Sequence, residues 1–147
     1  MSKIALTPLT GSCGAELSGV DLAHLSDEDF AQIHQAWLDY GAVSIVTRRI
    51  SIFGATGSIG QNTLDLLRRD PAAYHVVALS GGRNIAQLAK DAREFSPEVV
   101  VTAFENLLPE LQVAMAGSGV SVQAGAEAIG RAAERPADWI MSCIVGV

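Results

Sequence analysis

Ile50-Ser51-Ile52-Phe53-Gly54-Ala55-Thr56-Gly57-Ser58-Ile59-Gly60 is the stretch that decides the fold. A short apolar run ends on a glycine, two more glycines follow at G-x-x-G-x-x-G spacing, and a helical pattern then runs from Ile59 to Arg69. Strand, glycine turn and helix in that order open a βαβ unit whose first turn can receive a phosphate. Gly54 permits the tight turn, Gly57 lets the backbone approach a pyrophosphate, and Gly60 lets the helix pack against the strand. The helix N-terminus adds unpaired N–H groups and a partial positive charge. Thr56 and Ser58 add hydroxyl donors. The same spacing also suits a tight turn that binds nothing.

Downstream, the pattern of short apolar runs alternating with helices continues. It predicts strands at His75–Leu79, Glu98–Ala103, Val120–Gln123 and Trp139–Val145, with helices at Asn84–Phe95, Leu107–Ala116 and Ala126–Glu134. Apolar runs of this length between helices indicate parallel strands buried on both faces. The fold class is therefore α/β: a Rossmann-like, doubly wound parallel sheet of about five strands. The second strand then bears on which dinucleotide would fit. A site selective for NADH places Asp or Glu there to hold the ribose hydroxyls. Here the chain reads Leu79-Ser80-Gly81-Gly82-Arg83-Asn84, with no acid. Arg83 can meet a 2′-phosphate, with Ser80 and Asn84 as hydrogen-bonding neighbours, which favours NADPH. Alternatively, Arg83 is a solvated residue ahead of a helix. The candidate cofactor-binding residues are Gly54, Thr56, Gly57, Ser58, Ile59, Gly82, Arg83 and Asn84.

Upstream, the character changes. Residues 1–47 carry five of the six net negative charges of the 147-residue chain, and residues 48–147 carry one. We divide the chain there into an N-terminal segment, 1–47, and a nucleotide-binding part, 48–147. The segment reads as an extended stretch at Ile4–Leu9, a glycine-punctuated loop over 11–21, a helix capped by Ser26 and ended by Gly41, and a strand at Ala42–Val46. Phe30, Ile33, Trp37 and either Ala36 or Leu38 recur at helical spacing as its apolar stripe. Ala42–Val46 is placed to extend the sheet beside Ile50–Phe53, or to run into it as one strand.

Several functions are excluded or disfavoured on composition. An acidic chain argues against a nucleic-acid partner. The longest apolar run, 139–147, is half the length of a membrane span, and no signal peptide is recognisable. Cys13 and Cys143 stand far apart, so neither a disulfide framework nor a CxxC metal knuckle is available. The expected setting is soluble and cytoplasmic. His24, His34 and His75 have no ligand-spaced companions, Asp65 and Asp138 no evident partner, and Cys143 reads as packing in a strand. No residue stands out as general acid, base or nucleophile. The apolar end, Ile144-Val145-Gly146-Val147, invites self-association if its strand is an open edge.

Two resemblances add to this reading. Gly54–Gly60, Asn62-Thr63-Leu64-Asp65, Val76–Leu79, Gly82-Arg83-Asn84, Glu94-Phe95-Ser96-Pro97 and Ile144-Val145-Gly146 make residues 49–147 similar to the N-terminal NADPH-binding domain of the 1-deoxy-D-xylulose 5-phosphate reductoisomerase family. The resemblance implies phosphate contacts at Thr56, Gly57, Ser58 and Ile59, and a 2′-phosphate and adenosine side at Gly82, Arg83 and Asn84. Arg83 stands where the family often has Lys. The family's reaction, formation of 2-C-methyl-D-erythritol 4-phosphate for isoprenoid precursors, uses a carboxylate-held divalent metal and phosphate-binding Ser, Asn, His and Lys residues in a further domain. The resemblance does not extend to these, nor to the family's Asn-Lys-Glu motif, so the chain alone is expected to be inactive. Residues 4–46, through Ile4–Leu9, 14–22 and the Ser26–Gly41 helix, resemble the N-terminus of the taurine dioxygenase family. That family's His-x-Asp iron site is missing, since Ser26, Ala36 and Val77 stand two residues after the histidines. The pair of resemblances implies a chimera. The competing expectation is a structural chimera or self-associating fragment with no ligand.

Overall fold

The computed structural model describes residues 4–9, 14–20 and 22–144. It divides into two compact units. One draws its described residues from Met1–Thr47 and Asp70–Tyr74, the other from Arg48–Arg69 and His75–Val147.

The first unit holds a three-stranded sheet of β1 (Ala5–Pro8), β2 (Ala15–Ser18) and β3 (Val43–Ile45), with α1 (Asp27–Tyr40) packed against β2 and β3. β1 runs antiparallel to β2, and β3 parallel to it. Ser26 caps α1 through a reciprocal pair: its hydroxyl accepts the Asp29 N–H at 3.1 Å while the Asp29 carboxylate accepts the Ser26 N–H at 3.3 Å. Two expectations are corrected here. The stretch read as a loop over 11–21 contains β2, because Ala15 and Leu17 alternate inward between flanking glycines and are fully buried. Of that stretch, 11–13 and 21 lie outside the described residues. The strand expected at Ala42–Val46 neither extends the large sheet nor runs on into β4; as β3 it pairs with β2. Of the apolar residues at helical spacing, the helix buries Ile33 and Ala36 against its sheet and not the bulkier ones. Leu17, Val20 and Ala36 form the small core with Ile33 beside them, while Phe30, Trp37 and Leu38 stay more than half exposed.

The second unit is the α/β fold. Five strands, β4 (Arg48–Phe53), β5 (Tyr74–Gly81), β6 (Val99–Thr102), β7 (Ser121–Ala124) and β8 (Trp139–Ser142), stand in the order β7-β6-β5-β4-β8. Pairing is parallel between β4 and β8, β5 and β6, and β6 and β7. Between them run α2 (Ser58–Arg69), α3 (Ile85–Phe95), α4 (Leu108–Ala114) and α5 (Ala126–Ala133). The Val99-Val100-Val101-Thr102 strand is buried throughout, as a strand covered on both faces must be. α5 presses Ala128, Ile129 and Ala132 onto Phe53, Ala78, Val99 and Val101. Leu79 and Gly81 turn to the opposite face, where Leu88 of α3 lies 3.2 Å from the position a Gly81 Cβ would take. Helices on both faces make the sheet doubly wound and Rossmann-like. The strand expected at Trp139–Val145 forms as β8, and residues 145–147 lie outside the described residues. No described helix is long and apolar enough to cross a membrane.

Opposite the carboxyl ends of the strands, Glu98 gathers Arg49 Nη2 at 2.7 Å, Arg135 Nη1 at 2.9 Å and His75 Nε2 at 3.0 Å. The strand starts and the end of α5 are clasped at one carboxylate. Burial pushes the Glu98 carboxyl up, but hydrogen bonds from His75, Arg49 and Arg135, with the charge of Arg49, hold it below its ordinary value. A carboxylate depressed in the folded state favours folding at neutral pH and loses that contribution as pH falls through its folded value. In thermal melts, the gap in Tm between wild type and Glu98→Gln is expected to close as pH is lowered below the ordinary carboxylate range. A gap independent of pH would remove the clasp as its source. Asp65 and Asp138 are also paired, which sequence alone does not reveal. Asp65 meets Arg69 at 3.1 Å, and the Asp138 carboxylate accepts the Arg49 N–H at 2.7 Å.

Candidate functional site

The strand order moves outward from β4 through β5 and β6 to β7, then returns across β4 to β8. The reversal makes β4 and β8 the switch point, where the loops at the strand ends diverge and leave a crevice. A cavity of about 200 Å³ lies there, lined by Gly54, Gly57, Ser80, Gly81, Gly82, Ala103, Ile129, Cys143 and Ile144. Its wall along β4 and β5 is mostly backbone, because four of its residues are glycines.

Two glycines are required by geometry. Gly54 has φ +84°, and a Cβ there would lie 2.8 Å from the Cys143 carbonyl carbon. Strand β8 ends across the first turn, leaving room only for hydrogen. At Gly60 a Cβ would lie 2.6 Å from both Cα and O of Ala55, and closer still to Gly54 O. This brings α2 onto the turn and its first N–H groups to the rim of the crevice.

Strand β5 grips the turn. The Ser80 carbonyl accepts the Gly54 N–H at 3.1 Å and the Ala55 N–H at 2.7 Å, and the Ser80 hydroxyl also accepts the Gly54 N–H at 3.1 Å. Ser80, expected beside Arg83, is thus buried beneath the first glycine, a role its spacing does not announce. Thr56 places its methyl carbon 3.0 Å from where a Gly81 Cβ would stand, so a side chain at 81 would have to push that methyl aside by a few tenths of an ångström. Ser58 and Ile59 occupy the exposed first turn of α2. Past β5, the Arg83 guanidinium carbon lies 4.0 Å from the Phe104 ring centroid, a cation–π contact. Asn84 caps α3, its carbonyl oxygen accepting the Gln87 N–H at 3.1 Å. Its amide nitrogen keeps its donors.

The fold therefore brings Gly54, Gly57 and Gly82 into one crevice, with Thr56, Ser58 and Ile59 along one rim and Arg83 and Asn84 beyond its β5 end. Sequence reasoning missed Ala103, Phe104, Ile129, Cys143 and Ile144. The signal was available in part, since ligands of open α/β sheets lie beyond strand ends, where Ala103, Phe104 and Cys143 fall. Cys143, read as strand packing, sits just past β8 in the crevice wall; burial pushes its thiol above the ordinary range, outweighing a hydrogen bond with Thr63. Among the described residues, no group of three His, Cys, Asp or Glu is placed to hold a metal ion.

Comparisons with known proteins agree with this geometry. The sequence model of the 1-deoxy-D-xylulose 5-phosphate reductoisomerase family matches residues 50–147. The reductoisomerase of Jannaschia sp. (strain CCS1) is 67% identical over 99 residues, covering 67% of this chain and 25% of the relative. That of Ruegeria pomeroyi is 65% identical over the same length and shares. Among solved structures, the enzyme from Zymomonas mobilis in complex with NADPH superposes with a TM-score of 0.67 at 43% identity, covering 68% of this chain and 26% of that one. A reductoisomerase in complex with NADPH, fosmidomycin and magnesium gives 0.64 at 31% identity, covering 67% and 25%. The chain spans about a quarter of the length of the curated relatives it matches.

Proposed function

This chain belongs, through residues 50–147, to the 1-deoxy-D-xylulose 5-phosphate reductoisomerase family, and from that premise we propose that it is the NADPH-binding portion of such an enzyme. The observation that carries this reading is the backbone-walled crevice at the switch point, with its first glycine under β8 and its third against the turn. A dinucleotide's pyrophosphate fits where side chains are lacking and helix N–H groups converge. In this reading Gly54, Thr56, Gly57, Ser58 and Ile59 hold the pyrophosphate. Gly82, Arg83 and Asn84 hold the adenosine and its 2′-phosphate. Ile129 and Ile144 offer apolar cover to the nicotinamide, which when bound supplies a hydride. The described residues contribute binding and orientation, and the proposal assigns them no substrate step.

A calorimetric titration tests the reading: NADPH is expected to bind and NADH to bind more weakly. Binding of neither would leave a folded scaffold that keeps ancestry without the ligand. The ligand-free alternative is the less favoured reading, because the family match and the crevice fall on the same residues.

Residues 1–47 lie outside the family match, and we read them as an appended, dioxygenase-like segment without an iron site, joined in a chimera. Self-association is the second part of the proposal, and strand β8 supports it. This strand stands at one edge of the sheet, with Trp139, Ile140 and Met141 all at least 40% exposed. Light scattering is expected to give a mass that rises with concentration, and less so in Ile140→Lys. One mass at every concentration would end this part of the proposal.

A further inference from the structure

Resting on the reading that this crevice takes NADPH, we propose that Gln61, backed by the buried carboxylate of Asp91, is a positioning residue that locks the Ala55–Thr56 peptide and fixes the direction of the N–H groups in the glycine turn. Gln61 follows Gly60 on α2. Its side-chain Nε2 donates to Ala55 O at 2.9 Å and to Asp91 Oδ2 at 2.6 Å, which uses both of its hydrogens. Asp91, on α3, is fully buried. Its other oxygen accepts from Gln87 Nε2 at 2.9 Å and Arg68 Nη2 at 3.2 Å, and Gln87 Nε2 also donates to Gln61 Oε1 at 3.3 Å. A buried carboxylate with three donors holds those donors in place, because releasing any one leaves unpaired polar atoms in a low-dielectric site.

The consequence falls on Ala55. Its N–H is held by Ser80 O at 2.7 Å and its C=O by Gln61, so the residue is gripped from β5 on one side and α2 on the other. The following peptide is trans and planar. With Ala55 C=O turned towards Gln61, the Thr56 N–H must face away from the α2–α3 cluster. Rotation of this peptide changes ψ of Ala55 and φ of Thr56; the β-branched Thr56 resists a full flip, but Gly54 and Gly57 on either side let the peptide tilt. The glycines supply space, and Gln61 restores the order they remove. A tilted Ala55–Thr56 peptide would aim its N–H away from a phosphate seated on the turn and weaken that hydrogen bond.

A purely structural tie between α2 and α3 makes a different prediction, so the experiment separates the two on the full 147-residue chain. Gln61→Met keeps the length and removes the donors; Gln61→Asn, one methylene too short to span Asp91 and Ala55, serves if the first does not fold. Gln87→Met takes a donor from Asp91 and from Gln61 Oε1 but leaves the Gln61–Ala55 bond itself in place. Calorimetric titrations use NADPH and adenosine 2′-monophosphate, which has the 2′-phosphate but no pyrophosphate. Loss of Gln61 is expected to weaken NADPH binding about tenfold or more and to leave adenosine 2′-monophosphate within about twofold. Gln87→Met is expected to weaken NADPH binding less than loss of Gln61 does, and to leave adenosine 2′-monophosphate within about twofold. Amide exchange without ligand is expected to speed up about tenfold at Ala55 and Gly57, whose N–H groups are bonded to Ser80 O and Gly54 O, in the Gln61 variants, with Val100 of β6 unaffected. Unchanged NADPH affinity in the Gln61 variants, or equal weakening of both ligands, overturns the proposal. If the wild type itself binds no NADPH, the cofactor reading fails there. Exchange at Ala55 and Gly57 then still decides the positioning claim: acceleration supports it, and no change overturns it.

Discussion

Gly60→Ala destabilises the second unit, while the same substitution at Gly130 stabilises it. Both glycines lie inside helices, α2 and α5, and helix propensity alone favours alanine at each by up to about 1 kcal/mol. Their surroundings decide the outcome. At Gly130 a Cβ meets nothing within 4 Å. At Gly60 it lands 2.6 Å from Ala55 Cα and O, backbone atoms of a turn held by Ser80 and Gln61. A flexible side chain could swing aside, but this turn has two anchors and cannot. Overpacking of this kind costs about 2 to 3 kcal/mol, which exceeds the propensity gain. Urea denaturation should therefore move the midpoint down for Gly60→Ala and slightly up for Gly130→Ala, with similar slopes. The first variant should also lose most of its NADPH affinity, because relief of the clash requires α2 to leave the turn. A Gly60→Ala protein as stable as wild type would show that the close approach is not a requirement of the fold.

Arg83→Glu reverses the cofactor preference without unfolding the protein. The side chain is exposed, and its described contact is the face of Phe104 at 4.0 Å, worth about 0.5 to 1 kcal/mol at an exposed site. Little stability is at stake. Affinity is a different matter if the 2′-phosphate lies there. A charge-assisted hydrogen bond contributes about 1.5 to 3 kcal/mol, and an introduced carboxylate adds repulsion. NADPH binding should weaken by about a hundredfold, equivalent to about 3 kcal/mol, while NADH binding stays within a few-fold. The ratio of the two affinities is the quantity to measure, since a general disturbance of the crevice would lower both. Equal losses would move the 2′-phosphate away from Arg83. Arg83→Lys provides the complementary check, keeping the charge but not the planar fork.

The two substitutions probe opposite ends of what was legible beforehand. Gly54, Gly57 and Gly60 announce their turn because the spacing of glycines between an apolar run and a helical period is a local pattern, and local patterns report local backbone geometry. The parallel sheet was legible for the same reason: apolar runs such as Val99–Val101 are buried on both faces. Where two local signals competed, the reading failed. Ala15-Glu16-Leu17-Ser18 alternates as a strand does, but glycines on both sides made it look like a loop. In α1 the spacing left Ala36 and Leu38 as equal candidates, and the small Ala36 is the one that fills the tight contact, while Phe30, Trp37 and Leu38 stay exposed. Ile129 and Ile144 carry no mark of a site, and Ala103 and Cys143 only that of lying beyond strand ends, because each joins the crevice only once the sheet has formed.

By itself, then, the sequence determined the α/β class, the glycine turn with its helix, and the absence of an acid after the second strand of the large sheet. Each of these is written within a dozen neighbouring residues, where steric limits on φ and ψ and the period of burial act directly. Tertiary structure alone decided that β3 joins β2 and not β4, that Ser80 lies beneath Gly54, and that Gln61 ties Ala55 to a buried Asp91. It also set the return of β8 across β4 that closes the crevice. Those contacts join residues from 6 to 89 positions apart, from Gln61 with Ala55 to Gly54 with Cys143. Their partners are selected by close packing and by the demand that every buried polar group be paired, conditions that exist only in the assembled fold.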